Sequence, residues 1–309
     1  VDIINLDMVS EDNYGMKTSM ASMNPEKFRA NVEKGNHYQY MYNTFHKHST
    51  YMSKDGIPFF SDVAQMSGIA NTDWSWAPLL ADFDNDGFKD IFISNGIKRD
   101  FRNKDFFNES MLFQKNNPDA LTNSKKLMSL LEKIPARAKQ NYFYRNNGDL
   151  TFQKKSMQWL PDNSETFSNG AVYSDLDNDG DLDLVVNNVD AEASIMRNNS
   201  ETLSNNGFLK FKFKGGEGNI MGLGAQLYLY TENGFQLYEN YTTRGYQSSV
   251  APKLNIGVAE GVNIDSIKVI WPNGNEQLVL GIERNKFYSF DVKDATPSYL
   301  NDEDKLNTI

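Results

Sequence analysis

Two short acidic segments of the sequence carry the residues whose chemistry is clearest. The first loop, Asp82–Asp90, and the second loop, Asp175–Asp183, both read D-x-D-x-D-G-x-x-D. Carboxylates at positions 1, 3 and 5 can converge on a cation, because glycine at position 6 permits the sharp bend that this requires. Position 7 offers a ligand, normally its carbonyl oxygen, and position 9 offers a closing carboxylate. The predicted metal ligands are Asp82, Asp84, Asp86, Phe88 and Asp90 in the first loop, and Asp175, Asp177, Asp179, Asp181 and Asp183 in the second.

This ligand set predicts calcium, with one ion in each loop. The predicted ligand atoms are hard oxygens, and neither loop has the His or Cys that would favour zinc. An EF-hand begins in the same way but needs Glu at position 12, where this sequence has Ile93 and Val186. The alternative is a pair of solvated acidic turns, since Asp, Asn and Gly favour turns in any case. Four or five carboxylates within nine residues would repel one another without a cation, and the pattern occurs twice.

The composition of the 309-residue chain limits its other functions. The formal net charge is −10 and no basic stripe with interleaved aromatic residues occurs, so nucleic acid is not an expected partner. The absence of Cys excludes disulfides and thiol chemistry. No apolar run approaches the roughly 20 residues of a membrane helix, so we expect no membrane span. The sequence opens without an initiator Met or a signal peptide, and we expect any targeting signal to lie upstream or to have been removed.

The two loops belong to a longer sequence repeat. A Phe lies 22 residues before the first loop and 23 residues before the second, each four residues after a Gly. Each loop is followed by a short apolar run typical of a buried strand, at residues 91–93 and 184–186. Residues 1–6 resemble this element a third time, with Asp2 at position 9 of its loop. The sequence therefore predicts successive β units in which each loop opens a strand.

Two helical insertions interrupt the repeats, at about residues 10–36 and 98–140. In the longer insertion, Asn117-Pro118 predicts a helix start and Pro135 predicts the end of the helical pattern. In the shorter insertion, Pro25 predicts the first position of a helix. Both insertions follow the strand after a loop, so we expect them at the same end of the repeat.

From about Gly207 the sequence changes to alternating polar and apolar residues separated by Asn-Gly turns. This pattern is typical of an all-β domain whose sheets each have one buried face. We therefore predict a repeat portion over residues 1–200, a β domain over residues 207–291, and a polar tail or linker over residues 292–309.

These motifs resemble those of two known families. The acidic loops, together with Phe167–Ala171 and Arg145–Phe152, are similar to FG-GAP or VCBS repeats, although Trp74–Pro78 departs from that pattern. Four later motifs occur in the order found in the ASPIC/UnbV domain. These are Gly222–Gln226, Arg244–Ser249, Leu254–Val258 and Ile267–Gly274.

The resemblance implies an all-β fold with two parts. The first is a partial β-propeller of FG-GAP/VCBS blades with helical insertions, and the second is a β-sandwich-like ASPIC/UnbV domain. The same pairing is similar to surface lipoproteins or secreted proteins of Bacteroidota-type bacteria and to an animal cartilage acidic protein. It implies an extracellular or outer-membrane location and no catalytic activity. The family's propellers have more blades than the roughly two and a half counted here, so we expect a fragment or processed part.

The function predicted from these features is a non-catalytic, calcium-stabilised extracellular module for binding or adhesion. Its expected partner is a protein or a glycan at the cell surface, and a subunit of an outer-membrane complex is a further hypothesis. The alternative is a carbohydrate-active enzyme on a propeller scaffold, since glycoside hydrolysis needs only two carboxylates. We predict no catalytic and no cofactor-binding residues, because His46 and His48 read as exposed strand histidines and residues 215–224 lack nucleotide-loop spacing.

Overall fold

Strands form most of the regular structure of this chain. The computed structural model describes residues 2–19, 25–38, 40–160, 162 and 164–297. Strands account for 37% of the structure and helices for 18%, and none of the sheets described closes into a barrel. The fold is therefore all-β, as predicted, with a partial β-propeller and a β-sandwich. The chain divides into two compact units, the first formed by Val1–Leu80, Asp90–Ala171 and Val186–Ser194, and the second by Ala81–Lys89, Val172–Val185 and Ile195–Ile309.

Three successive sheets make up the partial propeller. They contain β1 (Ile3–Asn5), β2 (Thr44–Met52) and β3 (Pro58–Asp62); β4 (Ser75–Ala81), β5 (Asp90–Asn95), β6 (Tyr142–Asn146) and β7 (Phe152–Lys154); and β8 (Ser168–Ser174), β9 (Asp183–Asn188) and β10 (Ser194–Met196). β1 pairs with β2, and β5 with β6, in antiparallel register. Every residue of β5 is buried, as predicted for the apolar run after the first loop. Ile91 and Ile93 of β5 pack with Phe45, Tyr142 and Tyr144 in a core of the first unit.

The sequence repeat is visible as the same hydrogen bonds in successive sheets. The side chain of Asn43 accepts a hydrogen bond from the backbone N–H of Asp7 at 2.8 Å. The side chain of Asn141 accepts the equivalent bond from the backbone N–H of Asn95 at 2.9 Å. The acceptors immediately precede β2 and β6, and each donor lies five residues after position 9 of its loop. The described residues of this first segment, 2–7, therefore belong to a copy of the same structural repeat, as the sequence predicts.

The two predicted insertions are helical and connect corresponding strands. The helices are α1 (Asn13–Ser19), α2 (Pro25–Glu33), α3 (Ala64–Ser67), α4 (Lys104–Asn116), α5 (Ser124–Leu131), α6 (Ser156–Trp159) and α7 (Ser200–Leu203). α1 and α2 lie between β1 and β2, and α4 and α5 lie between β5 and β6. Pro25 is the first residue of α2, as predicted.

The predicted helix start at Asn117-Pro118 is wrong. α4 ends at Asn116, Asn117 is its C-cap, and residues 118–122 form turns. α5 begins instead at Ser124, where the side chain of Asn123 accepts hydrogen bonds from two backbone N–H groups of the first turn, at 3.1 and 3.3 Å. An N-cap oxygen satisfies N–H groups that have no partner within the helix, and this cap decides where α5 starts.

Two sheets of the second unit form the β-sandwich. Their strands are β11 (Gly207–Lys214), β12 (Gln226–Thr231), β13 (Gly234–Glu239), β14 (Lys253–Val258), β15 (Ile264–Ile270), β16 (Asn275–Leu280), β17 (Lys286–Asp291) and β18 (Thr296–Pro297). The strand orders are β14-β11-β17 and β13-β12-β15-β16-β18. Alternate residues of β11, namely Leu209, Phe211 and Phe213, are at most 1% exposed and pack in one core with Leu227 and Val269. This alternation is the pattern that the sequence predicts.

The sandwich extends into the predicted tail. Thr296 and Pro297 form β18, which pairs with β16. Residues 298–309 of that tail lie outside the described residues. Across the part of the chain that the structure describes, no helix has both the length and the apolar character needed to cross a membrane.

Candidate metal centres

Residues 82–89 and 175–183 belong to the second unit, and both loops make the predicted sharp bend. Gly87 and Gly180, at position 6, have φ angles of 91° and 108°, in the left-handed region where a side chain is strained. Asn85 and Asn178, at position 4, also have positive φ angles, of 55° and 65°. Asn tolerates this conformation better than most residues. The sequence prediction assigned no role to these two Asn residues.

The carboxylate at position 1 closes each loop. Asp82 accepts hydrogen bonds from the backbone N–H groups of Gly87 at 2.8 Å and Asp86 at 3.1 Å. Asp175 accepts the corresponding bond from the N–H of Gly180 at 2.9 Å. The backbone of the loop therefore sets the direction of this carboxylate.

Three predicted ligands of the first loop converge. One oxygen from each of Asp82, Asp84 and Asp86 lies within 4.8 Å of the other two. Asp82 is only 5% exposed, and the side-chain amide of Asn206 donates to the carbonyl of Asp84 at 2.9 Å. Positions 1, 3 and 5 thus fit a hard cation. Phe88 at position 7 donates its N–H to Asp86 at 2.9 Å, and its carbonyl stays a predicted ligand.

The carboxylate at position 9 makes the same contact in three repeats. Asp2, Asp90 and Asp183 each accept a hydrogen bond of 2.8 to 2.9 Å from a backbone N–H in or just after the adjacent strand. The donors are His48, Asn146 and Asn198. Position 9 therefore holds the neighbouring strand in place, which is a structural role besides the predicted ligation. The group formed by positions 1, 3 and 5 of the first loop does not include Asp90.

The carboxylates of the second loop form two groups instead of one. The groups are Asp175, Asp177 and Asp183, and Asp179, Asp181 and Glu201, each with oxygens within 4.8 Å of one another. The side chain of Asp181 is directed to the start of α7, where it accepts a hydrogen bond from the hydroxyl of Ser200 at 3.0 Å. Glu201 of α7 was not predicted as a ligand.

Basic side chains of the second unit contact the carboxylates of the second loop. The ammonium of Lys210 on β11 forms an ion pair with Asp175, and both side chains are well buried, at 16% and 6% exposure. Arg197 contacts Asp177 at 2.6 Å and Asp179 at 2.8 Å, but its side chain is 55% exposed. The negative charge of the second loop is therefore partly balanced by the protein's own cations.

Two carboxylates of the second loop, Asp177 and Asp181, have opposite shifts in pKa. Burial raises the pKa of Asp181 to about 7, against the lowering effect of the Ser200 hydroxyl, and the charge of Asp179 adds to the rise. The hydrogen bond from Arg197 lowers the pKa of Asp177, which burial opposes. Asp181 is thus desolvated beside other carboxylates, whereas Asp177 faces a guanidinium group.

Several buried oxygen atoms near the loops have no hydrogen-bond partner among the described residues, including the Oδ1 atoms of Asn85, Asp175, Asp181 and Asn255. The side-chain amides of Asn85 and Asn255 both donate to the carbonyl of Gly180, at 3.3 and 3.1 Å. Burying an acceptor without a donor is unfavourable, and a bound cation would satisfy such oxygens. The donor chemistry of this region therefore fits an oxygen-ligated ion.

Both loops pack tightly against the β-sandwich within the second unit. A Cβ atom at Gly257 of β14 would lie 2.1 Å from Oδ2 of Asp82. A Cβ atom at Gly180 would lie 2.0 Å from the ring of Phe208 on β11. Close packing therefore requires Gly257 on the sandwich beside the first loop, and Gly180 in the second loop beside Phe208.

Comparison with protein-family models connects this geometry to known domains. The model of the FG-GAP-like repeat matches residues 134–186, and the model of the family ASPIC and UnbV matches residues 215–297. The chain carries an FG-GAP-like repeat followed by an ASPIC and UnbV domain. This order confirms the resemblance identified in the sequence. A comparison with curated proteins finds no match.

The match to the FG-GAP-like repeat includes the whole second loop, whereas the first loop lies before it. The first loop is linked to the same repeat by its bend and by its contacts at positions 1 and 9. The ASPIC and UnbV match includes β12 to β18, and β11 precedes it. Together the two domains suggest a β-rich module of extracellular type.

Three charged residues near the second loop were missed by the sequence prediction. They are Arg197, Glu201 and Lys210. A signal existed for the first, because Arg197-Asn198-Asn199 follows the second loop as Arg145-Asn146-Asn147 follows the first. Lys210 lies on another strand, and no local pattern indicates that this strand reaches the loop.

Proposed function

We propose that this chain is a non-catalytic, calcium-stabilised extracellular module that binds a protein partner at the cell surface. The observation that carries the proposal is the packing of both loops against the β-sandwich that includes the ASPIC and UnbV match. Gly257 has no room for a side chain beside Asp82, and Gly180 has none beside Phe208. An ion held by carboxylates in this packed setting would stabilise the scaffold, because the loops and the sandwich are in close contact at these two positions.

Calcium is the ion that the proposal names for both loops. Asp82, Asp84 and Asp86 provide three converging carboxylates, and the buried acceptors of Asn85 and Asp175 add oxygen atoms nearby. Calcium accepts six to eight oxygen ligands in a flexible arrangement, whereas magnesium demands a near-ideal octahedron. When bound, the ion would supply positive charge that offsets repulsion within each loop.

The partner surface in this proposal is the helical insertion over residues 98–140. Phe107, Met111 and Leu112 on α4 and Met128 on α5 are each more than half exposed. Phe107 and Met111 are four residues apart and therefore share one face of α4. Clustered exposed apolar side chains are typical of protein interaction sites. Stacking of aromatic rings on sugars has less support here, because three of these four exposed side chains are aliphatic or thioether groups.

A thermal unfolding experiment tests the calcium assignment. Chelation with EGTA should lower the melting temperature, and added Ca²⁺ should restore it while Mg²⁺ should not. At a free calcium concentration 100 times the Kd, the expected stabilisation is about 2.7 kcal/mol. Asp84→Asn should reduce this response, whereas Asp55→Asn, in an exposed turn outside the loops, should leave it unchanged. Identical melting curves with and without chelator would exclude calcium stabilisation.

A second experiment tests the non-catalytic binding role. Binding to an outer-membrane protein extract should decrease in the double variant Phe107→Ser and Met111→Ser, and should persist in Met157→Ser, which changes an exposed side chain of α6. In parallel, a polysaccharide panel is incubated with the unaltered chain and assayed for new reducing ends. Release of reducing ends would overturn the non-catalytic claim and favour the carbohydrate-active alternative.

A further inference from the structure

We infer that Lys210 is a tethered counter-cation that competes with calcium for the second loop. The inference rests on the proposed calcium binding and goes further, because it names the residue that regulates one of the two sites. The Lys210 ammonium is paired with Asp175 Oδ2, so it lies where a cation ligated by the second loop would also lie. The ammonium and a calcium ion would therefore compete for the carboxylate of Asp175.

The backbone around Lys210 holds the side chain in reach of the loop. In β11, Lys210 is opposite Asn255 of β14 on one side and Phe287 of β17 on the other. Asn255 itself donates its side-chain amide to the carbonyl of Gly180 in the loop at 3.1 Å. The strand that carries the ammonium is thus fixed on both edges, and its neighbour is bonded to the same loop.

The burial of this ion pair separates it from an ordinary surface contact. The Lys210 and Asp175 side chains are 16% and 6% exposed, whereas Lys212, two residues further along the same face of β11, is exposed. Exposed pairs such as those of Arg197 are weakened by solvent and salt. A pair shielded to this degree is screened much less, so it persists at physiological ionic strength.

The ammonium satisfies the second loop only in part. Asp175 Oδ1 is buried and has no hydrogen-bond partner among the described residues, although Oδ2 of the same carboxylate is paired with Lys210. A monovalent group with three donors cannot replace the six to eight oxygen contacts that calcium makes. The loop therefore has a cation of its own that holds it in place and an unsatisfied oxygen that a divalent ion would take.

Thermodynamic linkage gives this arrangement two measurable consequences. If Lys210 competes with calcium, removing its charge must tighten calcium binding at the second loop. The same change must destabilise the calcium-free protein, because the loop carboxylates lose their counter-charge. The response of the melting temperature to calcium should therefore become larger.

The test measures calcium affinity by isothermal titration calorimetry in the full chain carrying Asp84→Asn, which weakens the first loop and isolates the second. Lys210→Met in this background should tighten calcium binding at least about fivefold, the lower end of usual coupling between sites. Lys212→Met, on the same strand and face, is the matched control and should leave the affinity unchanged. Lys210→Gln provides a second neutral replacement in case the first folds poorly.

Melting temperatures in EGTA complete the experiment. Lys210→Met should melt below Lys212→Met in chelator and approach it at saturating calcium. The inference alone is overturned if Lys210→Met in the Asp84→Asn background binds calcium no more tightly than Asp84→Asn does, while the unaltered chain still binds calcium. A complete lack of calcium binding by every protein, Lys210→Met included, overturns the proposed calcium function and the competition together.

Discussion

A methyl group added at Gly257 should disrupt the packing of the first loop against β14. The new Cβ atom would lie 2.1 Å from Asp82 Oδ2 and 2.5 Å from the Cα atom of Asn85. Ordinary van der Waals contact begins at 3.4 Å, so one or both groups must move by about 1 Å. The carboxylate alone could rotate, but the Asn85 contact is to backbone, which can retreat only if the loop itself shifts.

The loss of stability in Gly257→Ala can be estimated from the cost of overpacking a buried contact. Overpacking costs about 1–3 kcal/mol, and a backbone clash belongs near the upper end. For a unit of this size, a loss of that order lowers the melting temperature by roughly 5–15 °C. Because Asp82 is a predicted calcium ligand, Gly257→Ala should also weaken calcium binding at the first loop.

Differential scanning calorimetry with and without calcium is the assay, and Gly216→Ala is the matched control. Gly216 lies in the same unit, a methyl group added there would meet no atom within 4 Å, and its φ angle is not left-handed. The control should melt close to the unaltered chain. Equal melting temperatures for Gly257→Ala and Gly216→Ala would refute the close packing of the first loop on β14.

Two further predictions concern the first unit. Asn123→Ala removes the N-cap of α5 and should lower the free energy of unfolding by about 1 kcal/mol, measured by urea denaturation; no loss would mean that the cap does not determine the helix start. The hydrogen bond from the backbone N–H of Gly15 is the main reason why the pKa of Asp12 is well below its usual range. Burial raises this pKa, whereas the hydrogen bonds from Ser10 and Lys139 lower it further. A depressed carboxyl pKa contributes stability above the unfolded-state pKa of about 3.9 and loses it as the pH falls further. Asp12→Asn should therefore be less stable than the unaltered chain at pH 7, and the gap should narrow below about pH 4; a gap that widens in acid would contradict this.

Features set by neighbouring residues were predictable from the sequence. The bend at Gly87 and Gly180 follows from the spacing of each loop, and the buried strand after the first loop follows from its apolar run. The start of α2 at Pro25 follows from the conformational preference of proline at the first helical position. The hydrogen bond that position 9 makes to the neighbouring strand was not predicted, because its backbone donors lie 46, 56 and 15 residues away along the chain.

Features set by the competition between similar local signals were harder to predict. Asn117-Pro118 and Asn123-Ser124 both suit a helix start, and the structure uses the second. The two candidates cannot be ranked from the sequence, because Asn117 is used as the C-cap of the preceding helix α4, which ends at Asn116. Helix propensity alone does not decide between two such sites, because tertiary packing commonly overrides it.

Contacts between distant residues could not be predicted from spacing. Lys210 lies 35 residues after Asp175, on β11, which is paired with β14 and β17. The division of the second loop into two groups of carboxylates likewise depends on Glu201 in α7. Calcium binding therefore stays a prediction for both loops, and in the second loop basic side chains already contact the predicted ligands.

The parallel pairing of β11 with β17 has a consequence for biosynthesis. Leu209 is opposite Lys286, so β11 acquires this neighbour only after 77 more residues have been added to the chain. Until then one edge of β11 has unpaired backbone groups, and such an edge is a template for association with other chains. Contacts of such long sequence separation also form slowly. A recombinant fragment that stops before residue 286 should therefore aggregate during expression, whereas one that extends through Pro297 includes every strand of the sandwich described here.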